Sequence, residues 1–116
     1  SSQRLLGVRM LALFHLLSGI AILFGSPIIL GILNVNSISS ETVASYPSET
    51  SMKMMGLAYI ILGIGLWDAW RLAWYICLGI HIAGLITSAI SFQVIPAIVE
   101  AAIISCLYSI RREFQA

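Results

Sequence analysis

Charged residues are scarce in this sequence: Lys, Arg, Asp and Glu together make up 9% of its 116 residues. Soluble domains carry roughly 25% charged residues, so the chain has too few polar side chains to cover a water-exposed surface. Hydrophobic residues make up 59% of the chain, and its mean hydropathy is +0.99. This composition is typical of an integral membrane protein, whose first partner is the lipid bilayer itself.

Basic runs and loop cysteines are also lacking. The net charge is +1, and no stretch of Lys and Arg could follow a phosphate backbone, which argues against nucleic acid as a partner. The two cysteines, Cys77 and Cys106, both lie inside apolar stretches. A structural disulfide is therefore not expected, and the cysteines do not indicate a redox compartment.

The first long uncharged stretch predicts a membrane-spanning helix at 10–33. Its roughly 24 residues, at about 1.5 Å each, exceed a hydrocarbon core of about 30 Å. Arg4 and Arg9 precede the stretch, as in a signal peptide. The hydrophobic region of a signal peptide has only about 7–15 residues, so the spanning helix is the preferred interpretation.

Three further spans are predicted from the remaining apolar stretches. The uncharged run from Leu72 to Val99 is too long for one span, and Pro96 is the natural place to divide it. Proline is favoured in the first turn of a helix and disfavoured in the interior. The four predicted spans are therefore 10–33, 52–68, 72–91 and 96–110.

The segment 34–51 is rich in Ser, Thr and Asn and is predicted to be the one substantial loop, with helix N-cap residues in Ser48–Ser51. Lys53 is the only basic residue at this end of the four-span arrangement. The basic residues at the other end are Arg4, Arg9, Arg71, Arg111 and Arg112. The positive-inside rule then predicts that both termini are cytoplasmic. The expected fold is an all-α, antiparallel four-helix bundle, a single multi-pass domain over 1–116 in the cell membrane.

Small residues recur at helical spacing in the third and fourth spans. Helices in lipid associate through close packing of small residues and through a few polar contacts. We therefore expect these residues to form helix-packing faces, either within the bundle or with another molecule. They are Ala97, Ala101, Ser105 and Ser109 in the fourth span and Gly79 and Ala83 in the third.

Three ionisable residues within the spans, His15, His81 and Glu100, are candidate site residues because ionisable groups are costly inside a membrane. Counting about 1.5 Å per residue from the nearest arginine places His81 and Glu100 roughly 15–16 Å deep and His15 roughly 9 Å deep. A contact between His81 and Glu100 is expected because their helices are consecutive. It is interpreted either as a polar clasp or as a proton-coupling or ligand-binding site. Alternatively, Glu100 faces a partner subunit or a water-filled vestibule.

Metal and haem chemistry receive little support from the sequence. A histidine together with Cys77 and Cys106 would suit zinc or copper, but cysteines in apolar helices usually behave as small hydrophobic residues. Ligation of haem by His15 and His81 is disfavoured because the depth count separates them by roughly 6 Å. No metal and no cofactor are therefore assigned.

The stretch 56–67, GLAYIILGIGLW, is followed by a charged turn and by RLAWY at 71–75. This pattern resembles small four-helix membrane proteins of bacteria and archaea whose function is unknown. In those families a glycine-rich span ends in a short charged turn, and a Trp-containing helix follows. The resemblance implies the four-helix topology and supplies no active residues.

No set of residues typical of an enzyme occurs in the sequence, which has no glycine-rich phosphate loop and no Ser-His-Asp set at one depth. The leading hypothesis is a non-enzymatic subunit or scaffold that packs against itself or within a larger membrane complex. One alternative is a small oligomeric transporter or channel that uses Glu100 and His81. The other is a metal- or haem-binding redox subunit.

Overall fold

The computed structural model describes residues 2–36 and 48–114, and this part of the chain is helical. Three of its four helices are long and apolar enough to cross a membrane, which indicates membrane association, and the fourth is apolar but has only 16 residues. The prediction of an all-helical chain with four helices is confirmed. The helices are α1 (Ser2–Asn36), α2 (Glu49–Trp67), α3 (Arg71–Ile90) and α4 (Val94–Ser109), and a short 3₁₀-helix (Arg111–Glu113) follows.

The observed helix ends differ from the predicted spans mainly in α1. This helix starts at Ser2, continues through Pro27 and includes residues 34–36, which had been assigned to the loop. Most of the predicted loop, 37–47, lies outside the described residues. Ser48 is the N-cap of α2, as expected, because its Oγ accepts a hydrogen bond of 3.1 Å from the Ser51 N–H.

Two tight turns of the same type connect α2 to α3 and α3 to α4. After α2, Ala69 adopts a left-handed conformation with φ 57°, and the Trp70 N–H donates to the Gly65 carbonyl. After α3, Phe92 has φ 56°, and the Gln93 N–H donates to the carbonyl five residues earlier. This bond pattern is a Schellman motif, which ends a helix and satisfies its last carbonyls. Each turn reverses the chain within three residues, so consecutive helices run antiparallel.

Glycines allow α1 to approach α2 closely. A Cβ atom added to Gly19 would lie 2.6 Å from the Gly56 carbonyl oxygen, and one added to Gly56 would lie 2.8 Å from the Gly19 carbonyl oxygen. Each glycine therefore faces the backbone of the other helix. The structure consists of two closely packed helix pairs, α1 with α2 and α3 with α4. The seam between these pairs is where the candidate site lies.

The arginines that the structure describes collect at one end of the bundle. The guanidinium of Arg9 lies over the Trp67 ring at 4.9 Å, and Arg71 Nε donates to the Phe114 carbonyl at 3.4 Å. The Trp74 indole N–H donates to the Leu107 carbonyl at 2.8 Å, joining α3 to α4 at the same end. A buried apolar core lies beneath these contacts, formed by Val8, Leu11, Ala12, Leu66, Cys77, Leu107, Ile110 and Phe114.

The predicted small-residue packing faces lie mostly on the outside of this arrangement. Among the described residues, a Cβ atom added to Gly79 would meet no atom within 4 Å, and Ala83 is exposed. On α4, Ala101, Ser105 and Ser109 are exposed and Ala97 is half-buried. Ser105 and Ser109 donate hydrogen bonds to carbonyls of their own helix. Packing of these faces against another molecule stays a prediction.

Candidate functional site

A polar cluster lies at the seam between the two helix pairs, and all four helices contribute to it. His15, Cys77 and His81 are 0–1% exposed, and the Glu100 side chain is 22% exposed. We call this group the central cluster; it consists of His15 of α1, Tyr59 of α2, Cys77 and His81 of α3, and Glu100 of α4.

The expected contact between His81 and Glu100 is present. Nδ1 of His81 lies 2.5 Å from Oε2 of Glu100. The carboxylate reaches the ring because it lies over Gly84, where an added Cβ would be 2.8 Å from Oε1 and 2.9 Å from the carboxyl carbon. The absence of a side chain at Gly84 therefore positions the acid, a role that spacing alone did not indicate.

His15 joins the same cluster, although the sequence placed it at a different depth. Its Nε2 lies 2.9 Å from Nε2 of His81 and 3.2 Å from Sγ of Cys77. The depth count compares Cα positions along straight, untilted helices. Two imidazole side chains that point toward each other across the seam can span a difference of this size. The depth count therefore assigned different depths to two residues whose side chains are in contact.

Backbone geometry fixes the tautomer of a neutral His15 ring. Its Nδ1–H donates a hydrogen bond of 2.9 Å to the Leu11 carbonyl, because a carbonyl oxygen can only accept. In the neutral ring the other nitrogen, Nε2, then carries a lone pair. This lone pair points toward His81 and Cys77, so the nitrogen of His15 that can accept a hydrogen bond or bind a metal ion is directed into the cluster.

The same reasoning applies to His81. If its Nδ1–H donates to the Glu100 carboxylate, then Nε2 of the neutral ring also carries a lone pair, and this lone pair faces that of His15 at 2.9 Å. Two lone pairs at this distance repel each other. A proton or a metal ion between the two nitrogens removes this repulsion.

The ligand atoms of His15, Cys77 and His81 all lie within 4.8 Å of one another. A tetrahedral zinc ion takes nitrogen at about 2.0–2.1 Å and sulfur at about 2.3 Å, which separates neighbouring ligand atoms by about 3.3–3.6 Å. The observed separations from His15 Nε2, 2.9 and 3.2 Å, are within about half an ångström of that range. The Cys77 Sγ and His81 ligand atoms lie within 4.8 Å of each other, so the three side chains could hold a metal ion if they closed around it.

Cys106 was the other cysteine considered for a metal site, and it is exposed on α4, outside the central cluster. Tyr59, which sequence reasoning missed, lies beside both imidazoles, with its ring centroid 5.2 Å from that of His15 and 6.1 Å from that of His81. It covers the α2 side of the cluster. Its position in an apolar span did not indicate a functional role, because tyrosine is also common at ordinary packing interfaces between helices.

No protein-family model, curated protein or solved structure matches the chain. The functional interpretation therefore depends on the geometry of the central cluster.

Proposed function

We propose that the protein is a non-enzymatic integral membrane subunit that binds one transition-metal ion within the bilayer through His15, Cys77 and His81. The observation that carries the proposal is the convergence of two imidazole nitrogens and one sulfur, buried and within 4.8 Å of one another. This develops the metal-binding hypothesis, which the sequence alone supports less than the scaffold and transport hypotheses.

A polar clasp alone accounts for less of the geometry. A clasp between α3 and α4 needs only His81 and Glu100, and it gives no reason for a third helix to direct His15 at the same point. A proton could join the two histidines, but it leaves the Cys77 sulfur, 3.2 Å from His15 Nε2, competing for a nitrogen with one lone pair. A metal ion uses all three donors at once.

The second contacts of both histidines support the same proposal. Metal-ligating histidines almost always donate their other ring N–H to a carboxylate or a carbonyl, which fixes the ring and raises the basicity of the ligand nitrogen. His15 makes such a contact with the Leu11 carbonyl, and His81 makes one with Glu100. The hydrogen bond made by the other ring nitrogen thus orients each imidazole toward the proposed metal.

The donor set also limits the metal. Two imidazoles and one thiolate suit zinc, copper and cobalt and are poor ligands for magnesium or calcium, which prefer oxygen. Three protein ligands leave a fourth tetrahedral position, as in zinc sites that accept an exogenous ligand. Such a site is able to exchange its ion or to receive a donor from a partner subunit.

The proposed orientation places the arginine end of the bundle in the cytoplasm, with both termini, in an antiparallel arrangement. Arg9 and Arg71 lie at this end, while Lys53 lies near the start of α2. Counted from Arg71 at about 1.5 Å per residue, Cys77 and His81 lie roughly 9–15 Å into the membrane. The metal would then lie between the cytoplasmic interface and the midplane.

Transport fits this geometry less well. A conduction path needs a polar lining, whereas His15, Cys77 and His81 are closed off from the surface. On α4 the residues adjoining Glu100 include Val99 and Ile103, which are apolar. Assembly with a second copy or with another membrane subunit is compatible with metal binding and stays part of the proposal.

The test is metal binding by the purified protein in mild detergent. After treatment with a chelator and a thiol reductant, the protein is loaded with Zn²⁺ or Co²⁺, and bound metal is counted by elemental analysis. We expect one ion per chain, and a Co²⁺ spectrum with thiolate-to-metal charge-transfer bands. Cys77→Ser should abolish these bands and most of the binding, and His15→Gln and His81→Gln should each weaken binding strongly.

Cys106→Ser is the matched control, because it makes the same substitution at the cysteine outside the cluster and should bind metal as the unmodified protein does. The proposal fails if the folded protein retains no metal. It also fails if Cys77→Ser binds as tightly as Cys106→Ser. In the first case the cluster is a polar clasp that holds a proton, and in the second the metal is bound without Cys77.

A further inference from the structure

In the proposed metal-bound state, the side chains of the central cluster carry a formal negative charge. As metal ligands, Cys77 is a thiolate with charge −1 and the two histidines are neutral. When His81 binds the metal through Nε2, its Nδ1–H donates to Glu100, 2.5 Å away, and the Glu100 carboxylate adds a second negative charge. The sum of these side-chain charges is −2, before the charge of the metal ion is added.

No Lys or Arg described by the structure belongs to this cluster. Arg9 and Arg71 contact Trp67 and Phe114 at the end of the bundle, and Lys53 pairs with Glu49 on the first turns of α2. Among the five acidic residues of the chain, Glu100 is the one set within a long apolar stretch. An unbalanced charge at this depth is costly, because a medium of low dielectric constant stabilises an ion poorly and leaves its interaction with other charges strong.

We infer that Glu100 makes the site selective for divalent over monovalent metal ions by balancing charge, an inference that rests on the proposed function. A divalent ion brings the total formal charge of the cluster to zero, whereas Cu⁺ leaves a total charge of −1. Glu100 does this without touching the metal, because its carboxylate contacts the far nitrogen of His81. It is a positioning residue that also sets the charge preference of the site.

The two roles of Glu100 can be separated by two substitutions. Glu100→Gln keeps the length of the side chain and an oxygen that accepts the His81 Nδ1–H, but it removes the charge. Glu100→Asp keeps the charge but shortens the side chain, so the hydrogen bond to His81 is lost. The first variant changes the electrostatics, and the second changes mainly the orientation of the ligand.

The experiment measures the dissociation constants of Zn²⁺ and Cu⁺ by competition with chromogenic chelators, in detergent and under reducing conditions. For Glu100→Gln we expect the preference for Zn²⁺ over Cu⁺ to fall by about 10- to 100-fold relative to the unmodified protein. For Glu100→Asp we expect both ions to bind about 10- to 100-fold more weakly, with their ratio nearly unchanged. Glu49→Gln, an exposed acid far from the cluster, is the control and should change neither constant.

An equal weakening of both ions by Glu100→Gln would overturn the inference, because Glu100 would then act only by orienting His81. A large change in the ratio for Glu100→Asp would also overturn it. Helix content by circular dichroism, together with retained Zn²⁺ binding in at least one Glu100 variant, establishes that the variants are folded. If the unmodified protein binds neither ion, it is the proposed function that fails, and the two failures are thus distinguishable.

Discussion

The Nε2 atoms of His15 and His81 lie 2.9 Å apart, although 66 residues separate them in the chain. The two residues belong to α1 and α3, which are members of different helix pairs. Their contact is therefore sensitive to how the pairs pack against each other. Changes in packing far from the histidines are expected to alter the cluster, which gives several independent ways to test the structure.

Gly84→Ala should displace the Glu100 carboxylate from His81. The new methyl group would lie 2.8–2.9 Å from the carboxylate, which is flexible enough to move away. Loss of this interhelical contact should lower the free energy of unfolding by about 0.6–1.7 kcal/mol, the range for polar contacts between membrane helices. Affinity for Zn²⁺ should fall by about 10- to 100-fold, as for other losses of a second contact to a ligating histidine.

Gly79→Ala is the matched control for this prediction. Gly79 lies on the same helix, and its new methyl group would meet nothing within 4 Å in the part of the chain that the structure describes. Both substitutions raise helix propensity by up to about 1 kcal/mol, so the difference between the two variants cancels that gain. Unfolding in mixed micelles of mild and denaturing detergent gives the two free energies. Equal stability and equal metal affinity of the variants would contradict the position assigned to Glu100.

Ala69→Gly should stabilise the protein. Ala69 has φ 57° in the turn after α2, and a left-handed conformation costs a residue with a Cβ atom about 1–2 kcal/mol. Glycine avoids this cost but loses more freedom on folding, so we expect a net gain of about 0.5–1 kcal/mol in the free energy of unfolding.

The same substitution at Ala102, exposed within α4, should have the opposite sign and destabilise the protein by about 1 kcal/mol. Thermal unfolding followed by circular dichroism can compare the two. A loss of stability in Ala69→Gly as large as in Ala102→Gly would show that the turn does not have the left-handed geometry described.

The number of helices and the place of the turns follow from run lengths in the sequence. A helix rises about 1.5 Å per residue, and uncharged runs must match a membrane thickness, so charges and Pro96 suffice to divide the chain. The contact between His81 and Glu100 was predictable because α3 and α4 are consecutive. Short turns make consecutive helices neighbours, whatever the details of their packing.

The rest of the site depends on information that a linear count does not contain. Whether α1 lies beside α3 is decided by how the α1–α2 pair packs against the α3–α4 pair. The close approach of α1 to α2 in turn depends on Gly19 facing Gly56. Depth along the chain does not include the reach of an imidazole. For the same reason Tyr59 and the role of Gly84 were missed, since both act through side-chain geometry on another helix.

The proposed orientation predicts which residues are accessible from each side of the membrane. Thr50 and Ser91 are exposed near one end of the bundle, and Asp68 is exposed at the arginine end. In a Cys106→Ser background, a membrane-impermeant maleimide added to intact cells should label Thr50→Cys and Ser91→Cys. Asp68→Cys should react only after permeabilisation. The reverse pattern would invert the orientation, and labelling of all three from outside would contradict a spanning arrangement.

Gly19→Ala should affect both stability and metal binding. A methyl group at this position would lie 2.6 Å from the Gly56 carbonyl oxygen, and because backbone atoms cannot move aside, α1 must shift away from α2. Overpacking of this kind typically costs about 1–3 kcal/mol. The shift also moves His15, which lies one turn earlier on α1, so Zn²⁺ should bind more weakly as well.

Gly31→Ala, on the same helix, provides the comparison, because its methyl group would meet no atom of the described residues within 4 Å. It should leave both the free energy of unfolding and the Zn²⁺ dissociation constant nearly unchanged. The two measurements on Gly19→Ala test different parts of the structure. Lost stability with unchanged metal affinity would show that His15 is held by α3 rather than by the packing of α1 on α2. Unchanged stability would show that the two helices do not approach each other as closely as described.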